Sequence, residues 1–193
     1  MEGQEGSAGT SYAFMSFTDA GMLALWNPRR FADIVDYESW ERQLYDDDDI
    51  LRHVRDGYFV PVNIGADGAF DFTVRTATDG DATPTEREAQ HLWVSSAPYL
   101  LVSEGEVCLS GLEHIGADLE YEAVKRIPLR VGRYKVVMHI FDDEAEAAAL
   151  DDSADPTPNV LSGFLVLISP EKTPAPTYRV RLRTFDRRGP VAE

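Results

Sequence analysis

The strongest strand signal in the chain runs from Tyr134 to Phe141, where apolar, aromatic and β-branched residues are interrupted only by Lys135 and His139. Such a run packs chiefly on one face with the other partly covered, which places it inside a sheet. Alternation assigns faces elsewhere. In YAFMSF, Tyr12, Phe14 and Ser16 share one side and Ala13, Met15 and Phe17 the other. In AFDFTVR, Phe70, Phe72 and Val74 point inward, and Asp71, Thr73 and Arg75 outward. VLSGFLVLIS is almost wholly apolar and reads as a strand buried on both faces. The last run, YRVRLRTF, predicts a strand with Arg179, Arg181 and Arg183 on one face and Tyr178, Val180 and Leu182 on the other. Pro61 in YFVPV marks an edge position or a bulge, because proline has no N–H to give a ladder.

Turn chemistry divides these runs. Asp19-Ala20-Gly21, Gly65-Ala66-Asp67-Gly68 and Glu104-Gly105 each separate two apolar segments and predict hairpins. The residues from Thr76 to Glu88 carry almost no large apolar side chain and read as an exposed connector. One region has helical character. Asn27-Pro28 is a helix-start signal with Phe31, Ile34 and Val35 as its apolar stripe. Tyr37 to Tyr45 spaces Trp40 and Leu44 one turn apart, and Ile50, Leu51 and Val54 precede Gly57, a natural left-handed terminator. About ten or eleven strands therefore surround a short helical insertion near residues 28–56. The expected class is α+β and β-rich, a mostly antiparallel β-sandwich of two related halves. Residues 1–10 read as a mobile tail and 11–193 as a single β-rich domain, with halves at 11–76 and 89–186.

Charge changes the picture more than composition does. Over 193 residues, 34 Asp and Glu outweigh 18 Lys and Arg, a formal net charge of −16. Such a field repels free nucleic acid and steers a basic protein inward, speeding encounter roughly 10- to 1,000-fold at low salt. The single cysteine, Cys108, cannot form an intramolecular disulfide and reads as core filler. Glu2 and Glu5 sit where a signal peptide needs positive charge, and no run of about 18 apolar residues occurs, so the expectation is a soluble, cytoplasmic protein without membrane contact.

The acids fall into clusters. Asp142, Asp143, Glu144, Glu146, Asp151, Asp152 and Asp155 follow the Tyr134–Phe141 strand with no Lys or Arg among them. They are the first candidates for a partner-binding surface. Asp46, Asp47, Asp48 and Asp49 form a second patch, with Glu38 and Glu41 of the helical insertion beside it. Tyr37 and Tyr45 next to those acids, and Trp40 if it is not core, are of the kind that anchor interfaces. The Asp46–Asp49 run lacks the alternating donors, sixth-position glycine and distal glutamate of a calcium loop.

Catalytic readings are thinner. His53, His91, His114 and His139 show no metal-ligand spacing, and no glycine-rich loop opens a helix after a strand, so neither metal nor cofactor is expected. His139 with Asp142 and Asp143 is a formal acid–base group, although a lone histidine on a strand is more often packed. A Cys108 nucleophile paired with His91 or His114 is disfavoured by Glu104, Glu106 and Glu113 nearby. The Arg179, Arg181 and Arg183 stripe either grips an anion or pairs with carboxylates on a neighbouring strand.

The segments APYLLVSEGEVCLSGLE and RIPLRVGRYKVVMHIFDDE resemble small bacterial immunity and nuclease-inhibitor proteins, including the competence-associated nuclease inhibitor. In that group an extended run precedes a strand of the form LPxGxYxV, for which this chain has IPLRVGRYKV. The resemblance covers about a quarter of the chain and implies a cytoplasmic antitoxin. The leading expectation is thus a non-enzymatic acidic immunity protein that blocks a basic bacterial toxin, a nuclease in the first instance, by covering its substrate cleft. The alternatives are a ligand-binding or structural module of a phage or secretion system, and an enzyme built on His139.

Overall fold

A computed structural model describes residues 9–63, 65–141 and 163–185. Eight strands are present among them: β1 (Thr10–Thr18), β2 (Met22–Trp26), β3 (Phe59–Asn63), β4 (Gly68–Thr76), β5 (Leu92–Ser95), β6 (Tyr99–Gly111), β7 (Lys125–Phe141) and β8 (Phe164–Pro170). They form one mixed sheet in the order β1-β4-β8-β7-β6-β2-β3, with β5 alongside the end of β7. Helices α1 (Tyr37–Leu44), α2 (Asp47–Asp56) and α3 (Glu86–Gln90) complete the fold. The expected class holds: α+β, strand-rich and mostly antiparallel, with β4 and β8 paired in parallel.

The two related sheets of the sequence reading are replaced by one continuous sheet. Its ends come from a single bent ribbon. Thr10–Thr18 pairs with Gly68–Thr76, and the ladder resumes almost in step where Met22–Trp26 pairs with Phe59–Asn63. At the corner Gly21 and Gly65 both sit at φ 69°, a conformation that L side chains resist. The turn signals at Asp19-Ala20-Gly21 and Gly65-Ala66-Asp67-Gly68 therefore mark a corner that two paired strands take together, not two hairpins. Beyond it β2 pairs with β6 and β4 with β8, and β1 packs across β6, so one sheet supplies both layers of a sandwich-like core.

Three further expectations are corrected. Glu104-Gly105 lies opposite a bulge, inside one long strand: β6 stays paired with β7 from Tyr99↔Val136 to Leu109↔Lys125, and the register shifts between Ser103 and Gly105. Between those pairs Arg130 and Val131 of β7 face the single Glu104, so β7 carries the extra residue, while Gly105 takes φ 122°. The run from Tyr178 to Phe185 is not a strand; it makes one bridge, Arg183 to Asn63. Its neighbour there would be edge strand β3, whose Pro61 has no N–H to offer, and Thr184 bonds that edge through its side chain instead. The Thr184 hydroxyl donates to Pro61 O at 2.8 Å and accepts from Asn63 N at 2.7 Å. With these runs merged or unpaired, the described residues hold eight strands where ten or eleven were expected over the chain.

The connector from Thr76 to Glu88 contains α3 and covers part of the sheet. Thr85 caps α3 by accepting from Glu88 N, while the Glu88 carboxylate accepts from Thr85 N at 2.6 Å. Glu88 is buried and also receives both Arg75 guanidinium nitrogens, at 2.9 and 3.0 Å. Under this segment Phe141, Leu165 and Leu167 form a small apolar cluster on the second face of β7 and β8. Their first face, with Tyr134, Val136, Met138, Val166 and Ile168, belongs to the main core. That is why β8 reads as apolar throughout.

The helical layer sits between β2 and β3, at the ribbon's tip. Asn27 organises a turn rather than a helix, its side chain accepting from Arg29 N at 3.0 Å. Phe31 and Ile34 are buried as expected; Val35 is 74% exposed. Ile50 and Val54 carry α2 onto the core, and Gly57 ends it at φ 80°.

Two stability measurements follow. A Cβ on Gly57 would lie 2.7 Å from Leu100 Cγ in a left-handed conformation, so Gly57→Ala should cost about 1–3 kcal/mol, read as a lower urea midpoint. For Glu88, burial raises the carboxyl pKa but the Arg75 hydrogen bonds, the Thr85 amide and the Arg75 charge outweigh it, and the net shift is downward from 4.5. A depressed folded value means stability that is present above the ordinary glutamate range and lost as pH falls through the folded value. Arg75→Ala should therefore cost about 1.5–3 kcal/mol at neutral pH and much less in acid, measured by urea titration at both pH values.

Candidate functional site

The site grows from the way α1 is fastened. Asp36 caps the helix: Ser39 N donates to its Oδ1 at 2.9 Å and Ser39 Oγ lies 2.6 Å from the same oxygen. Trp40 Nε1 then donates to Leu112 O at 3.0 Å, tying the helix to the end of β6. One residue pair closes the other side, Ala117 N donating to Ile34 O at 2.8 Å. Gly116 makes this approach possible, since a Cβ there would meet Ile34 O at 2.9 Å.

Between the start of α1 and the loop at 113–121 lies a groove of about 670 Å³. Its walls are aromatic. Tyr37 and Trp40 are stacked with centroids 5.9 Å apart, and His114 lies 4.8 Å from the Tyr121 ring and 5.4 Å from Phe17. Tyr37, Tyr121, Phe17 and Val35 are 68%, 48%, 41% and 74% exposed, four of the nine exposed large apolar side chains among the described residues. Clustering of that kind marks an interaction surface more than scattered exposure does.

The lining carboxylates are Asp36, Glu113 and Asp118, and no Lys or Arg lines the groove. Hydrogen bonds from the Ser39 hydroxyl and amide hold the Asp36 carboxyl below its ordinary range, so it stays ionised. Glu113 is anchored, accepting from Thr18 Oγ1 at 3.0 Å and Asp19 N at 2.9 Å. Asp118 Oδ1 accepts from Glu120 N at 3.2 Å. Chemically the groove offers flat, weakly polar rings with fixed negative charge at the rim.

No protein-family model and no curated protein matches this chain in sequence. Its fold is similar to known ones. The solved structure of crocagin biosynthetic gene J matches with a TM-score of 0.51 at 14% identity, covering 86% of this chain and 99% of that one. ComJ from Bacillus subtilis, described as an inhibitor of the DNA-degrading activity of NucA, matches with a TM-score of 0.46 at 8% identity, covering 84% and 98%. At 14% identity the first of these likenesses is one of fold alone.

The structure places the expected site residues unevenly. Asp142, Asp143, Glu144, Glu146, Asp151, Asp152 and Asp155 lie outside the described residues. The second patch is brought together. Tyr37, Glu38 and Glu41 lie exposed on α1, Tyr45 is its C-cap at 63% exposure, and Asp46 to Asp49 open α2 directly after it. Asp49 is paired with Arg52; Asp46, Asp47 and Asp48 are exposed. Sequence reasoning missed the opposing wall of Glu113, His114, Asp118 and Tyr121. The available signal was Tyr121 between Glu120 and Glu122, the same aromatic-beside-carboxylate pattern that singled out Tyr37 and Tyr45.

The remaining candidates lie away from the groove lining. His139 is buried, with Nδ1 2.7 Å from Ser95 Oγ, and burial lowers its pKa, only partly offset by Glu88. Arg179 Nη2 donates to Arg183 O at 2.7 Å and its Nε to Tyr99 Oη at 3.0 Å, folding the 179–183 segment over β6. Among the described residues no group of three His, Cys, Asp or Glu side chains is placed to hold a metal ion, and no helix is long and apolar enough to cross a membrane. Cys108 is fully buried, and desolvation followed by the Glu106 charge pushes its thiol up to about 12. Native protein at pH 8 should not react with a thiol reagent over minutes, whereas the same reagent in 6 M guanidinium, roughly a denaturing concentration, should label one thiol completely.

Proposed function

We propose that this protein is an acidic immunity protein that binds a basic toxin, a nuclease in the first instance, and neutralises it by covering the toxin's substrate cleft. One observation carries the reading: unneutralised carboxylates are concentrated beside exposed rings on the helical layer. Several of the acids elsewhere are held by cations. Glu106 and Glu120 pair with Arg126, Glu171 with Arg133, Glu88 with Arg75, and Asp81 with Lys135 and Lys172. Among the described residues, Asp36, Glu38, Glu41, Asp46, Asp47 and Asp48 have no such ion pair. Residues 36–49 hold seven carboxylates against one arginine, with Tyr37 and Tyr45 exposed between them.

A basic substrate cleft requires cationic groups at phosphate spacing, and fixed carboxylates answer them without being cleaved. Charge supplies the approach, and rings supply the desolvated anchors that slow release. The acids at 142–155 extend the same chemistry in sequence, and we include them in the proposed surface.

The test is neutralisation of a toxin encoded beside this gene, measured as protected nuclease activity with the association rate followed at two salt concentrations. The association rate should fall at least about tenfold between 50 mM and 500 mM salt, with slower loss of equilibrium affinity. Combined Glu38→Lys, Glu41→Lys and Asp47→Lys changes should slow association by a similar factor. Unchanged association in that triple variant would defeat the assignment to this face.

A further inference from the structure

We propose that the groove between α1 and the 113–121 loop is the receptor for one arginine side chain of the protein partner, its guanidinium stacked on the aromatic wall and its N–H groups given to Asp36 and Asp118. The inference rests on the reading above in taking the partner to be a basic protein. It goes further by naming the side chain and the place that receives it.

The argument is one of charge and shape together. An anionic ligand meets three carboxylates and no lysine or arginine along the lining. A neutral apolar ligand would have to desolvate the Asp36 carboxylate, whose hydrogen bonds from Ser39 keep it charged. A metal ion lacks the convergent donor set. A cation with a flat face satisfies both features, and exposed rings attract it through their quadrupole. Arginine suits this better than lysine, because the guanidinium is planar, weakly hydrated and forked, while ammonium is a strongly hydrated point charge. Acceptors are available as well: the Asp36 bonds from Ser39 go to Oδ1, and the Glu120 amide goes to Asp118 Oδ1, so Oδ2 of each carboxylate has no hydrogen-bond partner among the described residues. The groove is also prepared in advance. Trp40 is fixed by its bond to Leu112 O and the loop by the bond between Ala117 and Ile34, so binding need not order either wall.

The probes are the capped tripeptides acetyl-Gly-Arg-Gly-amide, its lysine counterpart and its citrulline counterpart, titrated into the ¹⁵N-labelled full chain at low salt. Saturable shifts of the Trp40 indole N–H and of the Gly116, Ala117 and Asp118 amides are expected with arginine. Lysine should bind more weakly, and citrulline, which has the shape without the charge, should leave those signals in place. Tyr121→Ala should weaken the arginine peptide about two- to fivefold, the range for an exposed cation–ring contact, and Asp118→Asn should weaken it as well. Both positions are exposed, and unchanged spectra away from the groove confirm that the variants are folded. Equal binding of arginine and citrulline, or arginine shifts confined to the Asp46–Asp49 end of α2, would overturn the proposal. Failure of the peptide with toxin protection intact removes the arginine receptor alone. Binding of the peptide in a protein that protects against no toxin removes the inhibitor reading and keeps the receptor.

Discussion

Two strands that turn one corner in step are the constraint on which the structure depends. Because residues 10–26 and 59–76 stay paired on both sides of the bend, the ribbon cannot stay in one layer, and its two arms become opposite ends of the same sheet. The central strands β6, β7 and β8 fill the space between the arms. The thirty-odd residues between β2 and β3 are left at the ribbon's tip, and they become the helical layer. Their position is therefore set by strand register, long before any helix contact is considered.

This has a functional result. The α1 helix has only eight residues and would not persist alone. It persists as a wall because its cap is satisfied by Ser39 and because Trp40 reaches a carbonyl 72 positions away in the chain. A hydrogen bond of this kind contributes about 1 kcal/mol. Its geometric effect is larger, since it brings an acidic helix and an acidic loop face to face with rings between them. Glu106 on β6, and Asp81, Glu88, Glu120 and Glu171 beside the sheet, are by contrast paired with arginine or lysine. Among the described residues, Asp36, Glu38, Glu41 and Asp46 to Asp48 of the helical layer carry no such ion pair.

Local pattern was a good guide wherever one face of an element is buried. The alternation in Tyr12–Phe17 and Phe70–Arg75, the wholly apolar β8, the terminator Gly57 and the edge position of Pro61 all follow from residue type and short spacing. Pairing did not follow. Glu104-Gly105 has the composition of a turn, yet β6 runs through it paired with β7, which takes up the register shift with one extra residue. Tyr178–Phe185 has the alternation of a strand, yet no neighbour with free donors and acceptors along its length. The Thr85–Glu88 capping box was legible, but a five-residue helix shows no apolar stripe to support it. Half of the groove could be foreseen from Tyr37 and its acids. The other half comes from a loop nearly eighty residues away in sequence, and no local rule connects the two.

The Thr184 hydroxyl has a consequence at the far end of the sheet. By bonding Pro61 and Asn63 it closes the margin of β3, whereas among the described residues nothing lies along the outer margin of β1. That strand, TSYAFMSFT, contains no charged residue, and its outward face shows Met15 and Phe17 to solvent. Native sheets usually guard such a margin with lysine, proline or a bulge. Here the formal net charge of −16 supplies a repulsion between whole molecules of the same sign. The same excess of acid opposes strand-by-strand addition of one copy of this chain to another at that margin.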